Sequence, residues 1–332
     1  MRFLKGLLVI VAVVLLLGAT TAAVALNMRP DRSAFASQIM APVSSGSPTL
    51  RVSFLGVSNL LFDDGETAIL TDGFFTRPGL LAVATQISPD STRIAQALQR
   101  AGITRLAAVV PVHSHYDHVM DAPYVARWTG AQLVGSTSTA NVGRGASLPE
   151  DRITVAVPGQ PMTFGRFSVT LLPSRHAPTG RFLMPGEITS PLTPPARTRD
   201  YRLGESYSVV VQHEGRTMLV QGSAGFIPGA LDRVKADVVY LALATLGRAS
   251  PEYRDSVWNE VIVATGARRV IAVHWDDFTR PLSKPLVPLP RLMDDFGTTM
   301  RFLLSHTGPG APDIRIPVEF APTDPFADLP PS

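Results

Sequence analysis

The sequence predicts an α/β (α+β) fold: two β-sheets packed face to face with helices outside, preceded by one N-terminal apolar helix. Three observations carry this. Short apolar runs come first as hairpins and later alternate with helical patterns, an order that suits stacked sheets covered by helices. Residues 6–26 hold no charged residue and follow Arg2 and Lys5. Histidines recur after three apolar runs, at strand ends where loops are held by a rigid scaffold. At 332 residues, 45% hydrophobic and 17% charged, the chain can bury a real core in one large domain or two modest ones.

The N-terminal run is a targeting segment, with a positive start and an apolar stretch near the ~20 residues that span a bilayer. Ala23-Val24-Ala25 offers a small-residue cleavage site. We expect an uncleaved anchor with Arg2 and Lys5 on the cytoplasmic side. The folded part then lies outside the cytoplasm, membrane-anchored or released to the periplasm or cell exterior. The expected division is an anchor or signal over 1–28, a linker over 29–49, one domain over 50–320 and a Pro-rich tail over 321–332. The linker carries turn residues and no period, as in Ser44-Ser45-Gly46-Ser47-Pro48.

Residues 50–55 and 67–71 read as strands joined around Asp63-Asp64-Gly65, a hairpin signal. Residues 91–101 read as a helix, capped by Asp90 or Ser91, with Ile94 and Leu98 on one face and Gly102 ending it. A strand over 106–112, a helix over 118–128 and a strand over 132–135 follow. Further strands are expected at 153–157 and 167–172. Residues 177–206 hold five prolines and no period; so long a segment inside a compact domain is functional or disordered. Then come a hairpin over 207–212 and 217–221, a buried strand over 237–243, a helix over 252–265, a strand over 269–273 and a helix over 291–304. The end from Pro312 offers one short strand and then coil.

The formal charge is +3, and residues 1–32 account for all of it, with Arg2, Lys5, Arg29 and Arg32 against Asp31. The remainder is neutral, so no nucleic-acid partner is expected. The absence of cysteine excludes disulfides, thiolate metal sites and cysteine nucleophiles.

The densest chemistry is His113-Ser114-His115-Tyr116-Asp117-His118, which holds three of the chain's seven histidines. Neutral imidazoles and a carboxylate suit a borderline divalent cation. Alternation in an extended segment points His113 and His115 to one side. Asp117 and His118 fall where the chain turns, so one loop can feed two adjacent metal positions. His176 and His274 each follow a further apolar run. His213, in a hairpin turn, and His306, after a helix end, are not expected as ligands.

With these residues the chain resembles the metallo-β-lactamase superfamily, over roughly residues 50–275. Leu70-Thr71-Asp72-Gly73-Phe74 is similar to that family's early strand with an aspartate beneath the metal site, and Phe54-Leu55-Gly56 to its opening strand. Ser174-Arg175-His176 and His274-Trp275 look most like the branch of ascorbate-phosphate lactonase and N-acyl-phosphatidylethanolamine phospholipase D. The resemblance implies a four-layer αβ/βα sandwich. It implies His113, His115 and His176 around one metal, and Asp117, His118 and His274 around the other. The cofactor is expected to be Zn²⁺, one ion or two, or another divalent transition metal. Hydroxide on the metal would attack an ester, lactone, amide or phosphodiester, with Asp117 and His118 as the catalytic residues and Asp117 orienting the attack. The family's bridging aspartate is replaced by Ser223, so we expect a weak second site or a single metal. Asp276 and Asp277 could substitute, although a solvated loop is the expectation for them. Arg175, Arg181 and Arg197, in or beside the long loop, could bind phosphate or carboxylate of a small-molecule or lipid-like substrate. Ser223 also leaves open a non-catalytic metal- or ligand-binding protein on the same fold.

Overall fold

The computed structural model describes residues 2–43, 50–306 and 308–330; the side chains of residues 2–4, 7–9, 19, 22, 181 and 182 lie outside the description. Strands run β1 (Arg51–Phe54), β2 (Leu60–Asp63), β3 (Ala68–Thr71), β4 (Ala108–Val110), β5 (Gln132–Gly135), β6 (Ile153–Val155), β7 (Pro161–Phe164), β8 (Phe167–Ser174), β9 (Ser206–His213), β10 (Arg216–Gln221), β11 (Val238–Ala242), β12 (Arg269–Val273), β13 (Asp313–Arg315) and β14 (Pro322–Thr323). Helices run α1 (Arg2–Asn27), α2 (Leu80–Val83), α3 (Ser91–Arg100), α4 (Tyr116–Val119), α5 (Ala122–Thr129), α6 (Thr137–Gly145), α7 (Pro251–Val257, extended by a π-turn at Trp258–Val263) and α8 (Phe296–Ser305).

Two seven-stranded mixed sheets face each other, ordered β14-β1-β2-β3-β4-β5-β6 and β13-β12-β11-β10-β9-β8-β7. Each combines an antiparallel hairpin half with a parallel half (β3 to β6, and β10 to β13). Parallel neighbours need crossovers, and α3, α5, α6, α7 and α8 make five of the six such connections. The inner faces share one core, in which the Phe62 ring meets Tyr240 of the opposite sheet edge-on at 5.8 Å.

Four differences from the sequence reading have local causes. The hairpin around Asp63-Asp64-Gly65 joins β2 to β3, not β1 to β3; Leu60-Leu61-Phe62 is buried throughout and shows no alternation to betray a strand. The helix expected over 118–128 is broken between α4 and α5. There the Asp121 carboxylate accepts from Phe75 N (2.7 Å), Thr76 N (2.6 Å) and Thr76 Oγ1 (2.7 Å). Helix α6 went unpredicted because its Thr, Ser and Gly content has low helix propensity. Its glycines serve close packing instead: a Cβ on Gly145 would lie 2.0 Å from the Leu192 carbonyl oxygen. β7 was also missed.

Residues 29–43 of the expected linker and 321–330 of the expected tail belong to the folded body, while Ser44-Ser45-Gly46-Ser47-Pro48 lies outside the described residues. Phe35 and Met40 are buried, and Arg29 pairs with Asp277 at 2.7 Å. β14 pairs with β1 through Val52 opposite Thr323, so the first sheet takes its edge from residues assigned to the tail. Helix α1 differs: its 18-residue window Ile10–Asn27 has mean hydropathy 2.2 and none of it is buried. By length and composition it can cross a membrane.

Asp64 anchors the β2–β3 turn to the other sheet. Its side chain accepts from Thr67 N (2.7 Å), Glu66 N (2.9 Å) and Arg166 Nε (2.9 Å), and meets His213 Nε2 at 3.1 Å. Burial pushes the carboxyl up, but these contacts together hold it down at about 2. A depressed folded pKa stabilises above the unfolded value, and that stability is lost as pH falls through about 3.8 toward about 2. Asp64→Asn is therefore expected to cost about 2 kcal/mol at pH 7. Urea unfolding at pH 7 and pH 3 checks this, since the gap to the parent protein should narrow at the lower pH.

Candidate metal centre

β4 is fully buried, and the chain leaves its end through Pro111-Val112 into His113. Asp72, at the end of β3, adopts a left-handed φ of 58° that an aspartate tolerates. Its Oδ1 accepts from Val112 N at 3.0 Å and its Oδ2 from His118 Nδ1 at 2.7 Å. His115 caps α4, so Asp117 and His118 sit on that single helical turn. His176 follows β8, and His274 follows β12 with φ 51° and its N–H on the Val57 carbonyl at 2.8 Å.

These segments bring the six residues into two adjoining groups. Within His113, His115 and His176, and within Asp117, His118 and His274, one donor atom per residue lies within 4.8 Å of the others. The His113 and His118 rings, one from each group, have centroids 4.0 Å apart.

Hydrogen bonds on the outer side set three tautomers. His115 Nε2 lies 2.8 Å from the Leu183 carbonyl, His176 Nδ1 2.7 Å from the Ala177 carbonyl, and His118 Nδ1 2.7 Å from Asp72. Those partners only accept, so each of these nitrogens carries the proton and the ring's other nitrogen offers a lone pair. His115 Nδ1 then faces His113 Nε2 at 3.1 Å. Asp117 Oδ2 lies 3.7 Å from His118 Nε2 and 3.6 Å from His274 Nε2.

Burial drives His113 and His274 well below the ordinary imidazole range, and neighbouring histidines push the same way. Burial and His176 bring His115 down to about 3, and burial lowers His176. His118 moves the other way: burial opposes its charge, but the carboxylates of Asp72 and Asp117 outweigh that.

The donor set fits a divalent cation. Metal–nitrogen bonds of about 2.0–2.1 Å at tetrahedral angles put two donors about 3.3 Å apart. The 3.1, 3.6 and 3.7 Å separations are close to that spacing, so little movement is needed. Outer partners such as Asp72 typically contribute 10- to 100-fold in metal affinity. Asp72→Asn, which keeps the shape and tolerates the backbone, is expected to weaken binding at the second group by about 10-fold or more. Titration calorimetry with Zn²⁺ measures it.

Other expected residues lie elsewhere. Ser223 Oγ donates to the Arg175 carbonyl at 3.3 Å, and its own carbonyl accepts from Ala177 N at 3.2 Å. It ties the β10 turn to the His176 loop and brings no negative charge. Asp276 and Asp277 are neither solvated nor ligands. Asp276 forms a fully buried ion pair with Arg77 at 2.5 Å and accepts from Val57 N at 2.8 Å, while Asp277 pairs with Arg29. His213 is not in an open turn but ends β9, buried against Asp64. His306 stacks on Trp258 at 3.7 Å.

Arg175 is exposed at a cavity of about 570 Å³ that reaches His176 and is lined by Val155, Ala156, Pro158, Leu183 and Tyr207. Arg197 is not there: with Arg199 it borders a separate hollow of about 540 Å³ beside Val83 and Gln86. Arg181 lies in the turn Gly180–Leu183, and its side chain is outside the described residues. The long loop is folded over the centre, with Leu183 on His115 and Leu203 O accepting from Ser114 N at 3.0 Å. Sequence reasoning missed Leu183 and Arg77. One acts through a backbone carbonyl and the other through a partner 199 positions away, so neither leaves a local signal.

Residues 67–275 match the family model described as a beta-lactamase superfamily domain. The chain therefore belongs to the metallo-β-lactamase superfamily. It is 24% identical over 317 residues to an uncharacterized protein of Mycobacterium tuberculosis, covering 89% of this chain and 76% of that one. It is 33% identical over 93 residues to a UPF0173 metal-dependent hydrolase of Heliobacterium modesticaldum, a match spanning 28% of this chain and only 32% of that protein. Igni18, a metallo hydrolase of the archaeon Ignicoccus hospitalis, shares the fold with TM-score 0.50 at 15% identity, covering 82% of this chain and 97% of that one.

Proposed function

We propose that this protein is an exported, membrane-anchored hydrolase that cleaves an ester, lactone, amide or phosphodiester bond in a small or lipid-like substrate, in the manner of the lactonase and N-acyl-phosphatidylethanolamine phospholipase D branch. One observation carries the proposal: two three-residue donor groups lie side by side, with the outer hydrogen bonds leaving inward lone pairs on His115, His118 and His176. When bound, Zn²⁺ or a similar cation supplies Lewis acidity and a water of lowered pKa. His113, His115 and His176 would hold one cation, and Asp117, His118 and His274 a second. The Asp117 carboxylate, between His118 and His274, would also accept a hydrogen bond from the attacking water and orient it. Arg175 would meet an anionic substrate group at the cavity rim. The aliphatic lining beside His176 favours an apolar substrate body.

The test is a screen of chromogenic esters, lactones and phosphodiesters of increasing acyl length, with and without chelator. Chelator-sensitive turnover that improves with chain length is expected. Its absence with every added divalent metal would overturn the enzyme reading. Ser223 favours the second reading, a non-catalytic metal-binding protein, because a hydroxyl cannot bridge two cations with negative charge. It also implies unequal sites: purified protein should hold about one tightly bound metal per chain, with a second lost on dialysis. Elemental analysis before and after dialysis distinguishes this from two tight equivalents.

A further inference from the structure

Resting on the reading of α1 as a membrane anchor, we propose that Met28 and residues 291–293 form a seat for an anionic bilayer surface, which holds the loop after His274 at the interface. There is no slack between helix and domain. α1 ends at Asn27, and the next carbonyl, that of Met28, already accepts from Arg291 N at 2.8 Å. Arg29 then fastens the 277–288 loop, with Nη2 on Asp277 at 2.7 Å and Nη1 on the Pro288 carbonyl at 2.6 Å. A residue spans at most about 3.6 Å of chain, so a bilayer-spanning α1 brings this loop to the surface with it.

The side chains at that point suit the position. Met28 is 55% exposed, Leu292 58% and Met293 38%, a concentration of apolar side chains that water alone does not favour. The exposed Arg248 and Arg291 flank them, Arg248 Nη1 donating to the Arg291 carbonyl at 3.2 Å. Of the nearby carboxylates, Asp294 is buried and accepts from Gly247 N at 3.0 Å, Asp277 is paired with Arg29, and the partly buried Asp295 accepts from Thr298 N at 3.2 Å. Asp31 is exposed and bonded only to Ser33, so it offsets one of the two arginines and leaves the other in excess. Apolar groups flanked by outward arginines match the headgroup region of an anionic leaflet. Asp277 is three residues beyond His274, and the Phe278 ring lies 5.7 Å from the His274 ring, so the seat and the metal centre share one loop.

The chain has no cysteine, which allows single-site labelling. The full-length protein carrying Leu292→Cys, with an environment-sensitive fluorophore, is reconstituted into phosphatidylethanolamine–phosphatidylglycerol vesicles with brominated acyl chains. Leu15→Cys in α1 and Val157→Cys, 55% exposed elsewhere on the domain, are the references. At least twofold quenching at 292 and at 15, with none at 157, is expected. Quenching at 15 alone overturns the seat and leaves the anchor standing. Quenching at neither overturns both. A blue shift at 292 without bromine quenching assigns the patch to a second copy of the chain and overturns the seat.

Discussion

His113→Ala is expected to lower chelator-sensitive turnover more than about 100-fold, beyond the 10- to 100-fold typical of losing a partner outside the ligand shell. The reason is position. His113 is almost fully buried at the junction of the groups, its Nε2 3.1 Å from His115 Nδ1 and its ring 4.0 Å from that of His118. Alanine removes a donor that no neighbour can replace, because His115, His118 and His176 are already committed by their outer hydrogen bonds. The metal content should fall with the activity while the melting transition stays cooperative. Unchanged metal content in the variant would remove His113 from the centre.

The largest effect on stability is expected from Arg77→Met. Arg77 and Asp276 have no solvent exposure, so the substitution leaves a carboxylate buried without its cation. Breaking such a pair from one side costs about 3–5 kcal/mol. The damage should also reach the metal centre. Asp276 holds Val57 N, and the Val57 carbonyl holds His274 N in its left-handed conformation. Weaker metal retention should therefore accompany the lower unfolding midpoint. Arg77→Met combined with Asp276→Leu should recover part of the stability, since no lone charge remains, but not all of it, since Val57 N then lacks its acceptor. Denaturant titration of both variants measures the difference.

The sequence by itself determined the two-layer strand pattern, the apolar N-terminal helix and the six candidate ligand residues that the structure brings into two groups. These are local signals: an apolar run followed by a histidine reads the same in the chain as in the fold. Tertiary structure alone decided that Asp276 serves Arg77 and not a metal. It decided that Asp121 breaks a helix by bonding Phe75 and Thr76, and that Arg197 borders a hollow apart from His176. It also folded residues 29–43 and β14 onto the domain. A carboxylate carries no mark of the partner it will meet 199 positions away, and burial, which makes that partner obligatory, exists only once the chain has packed.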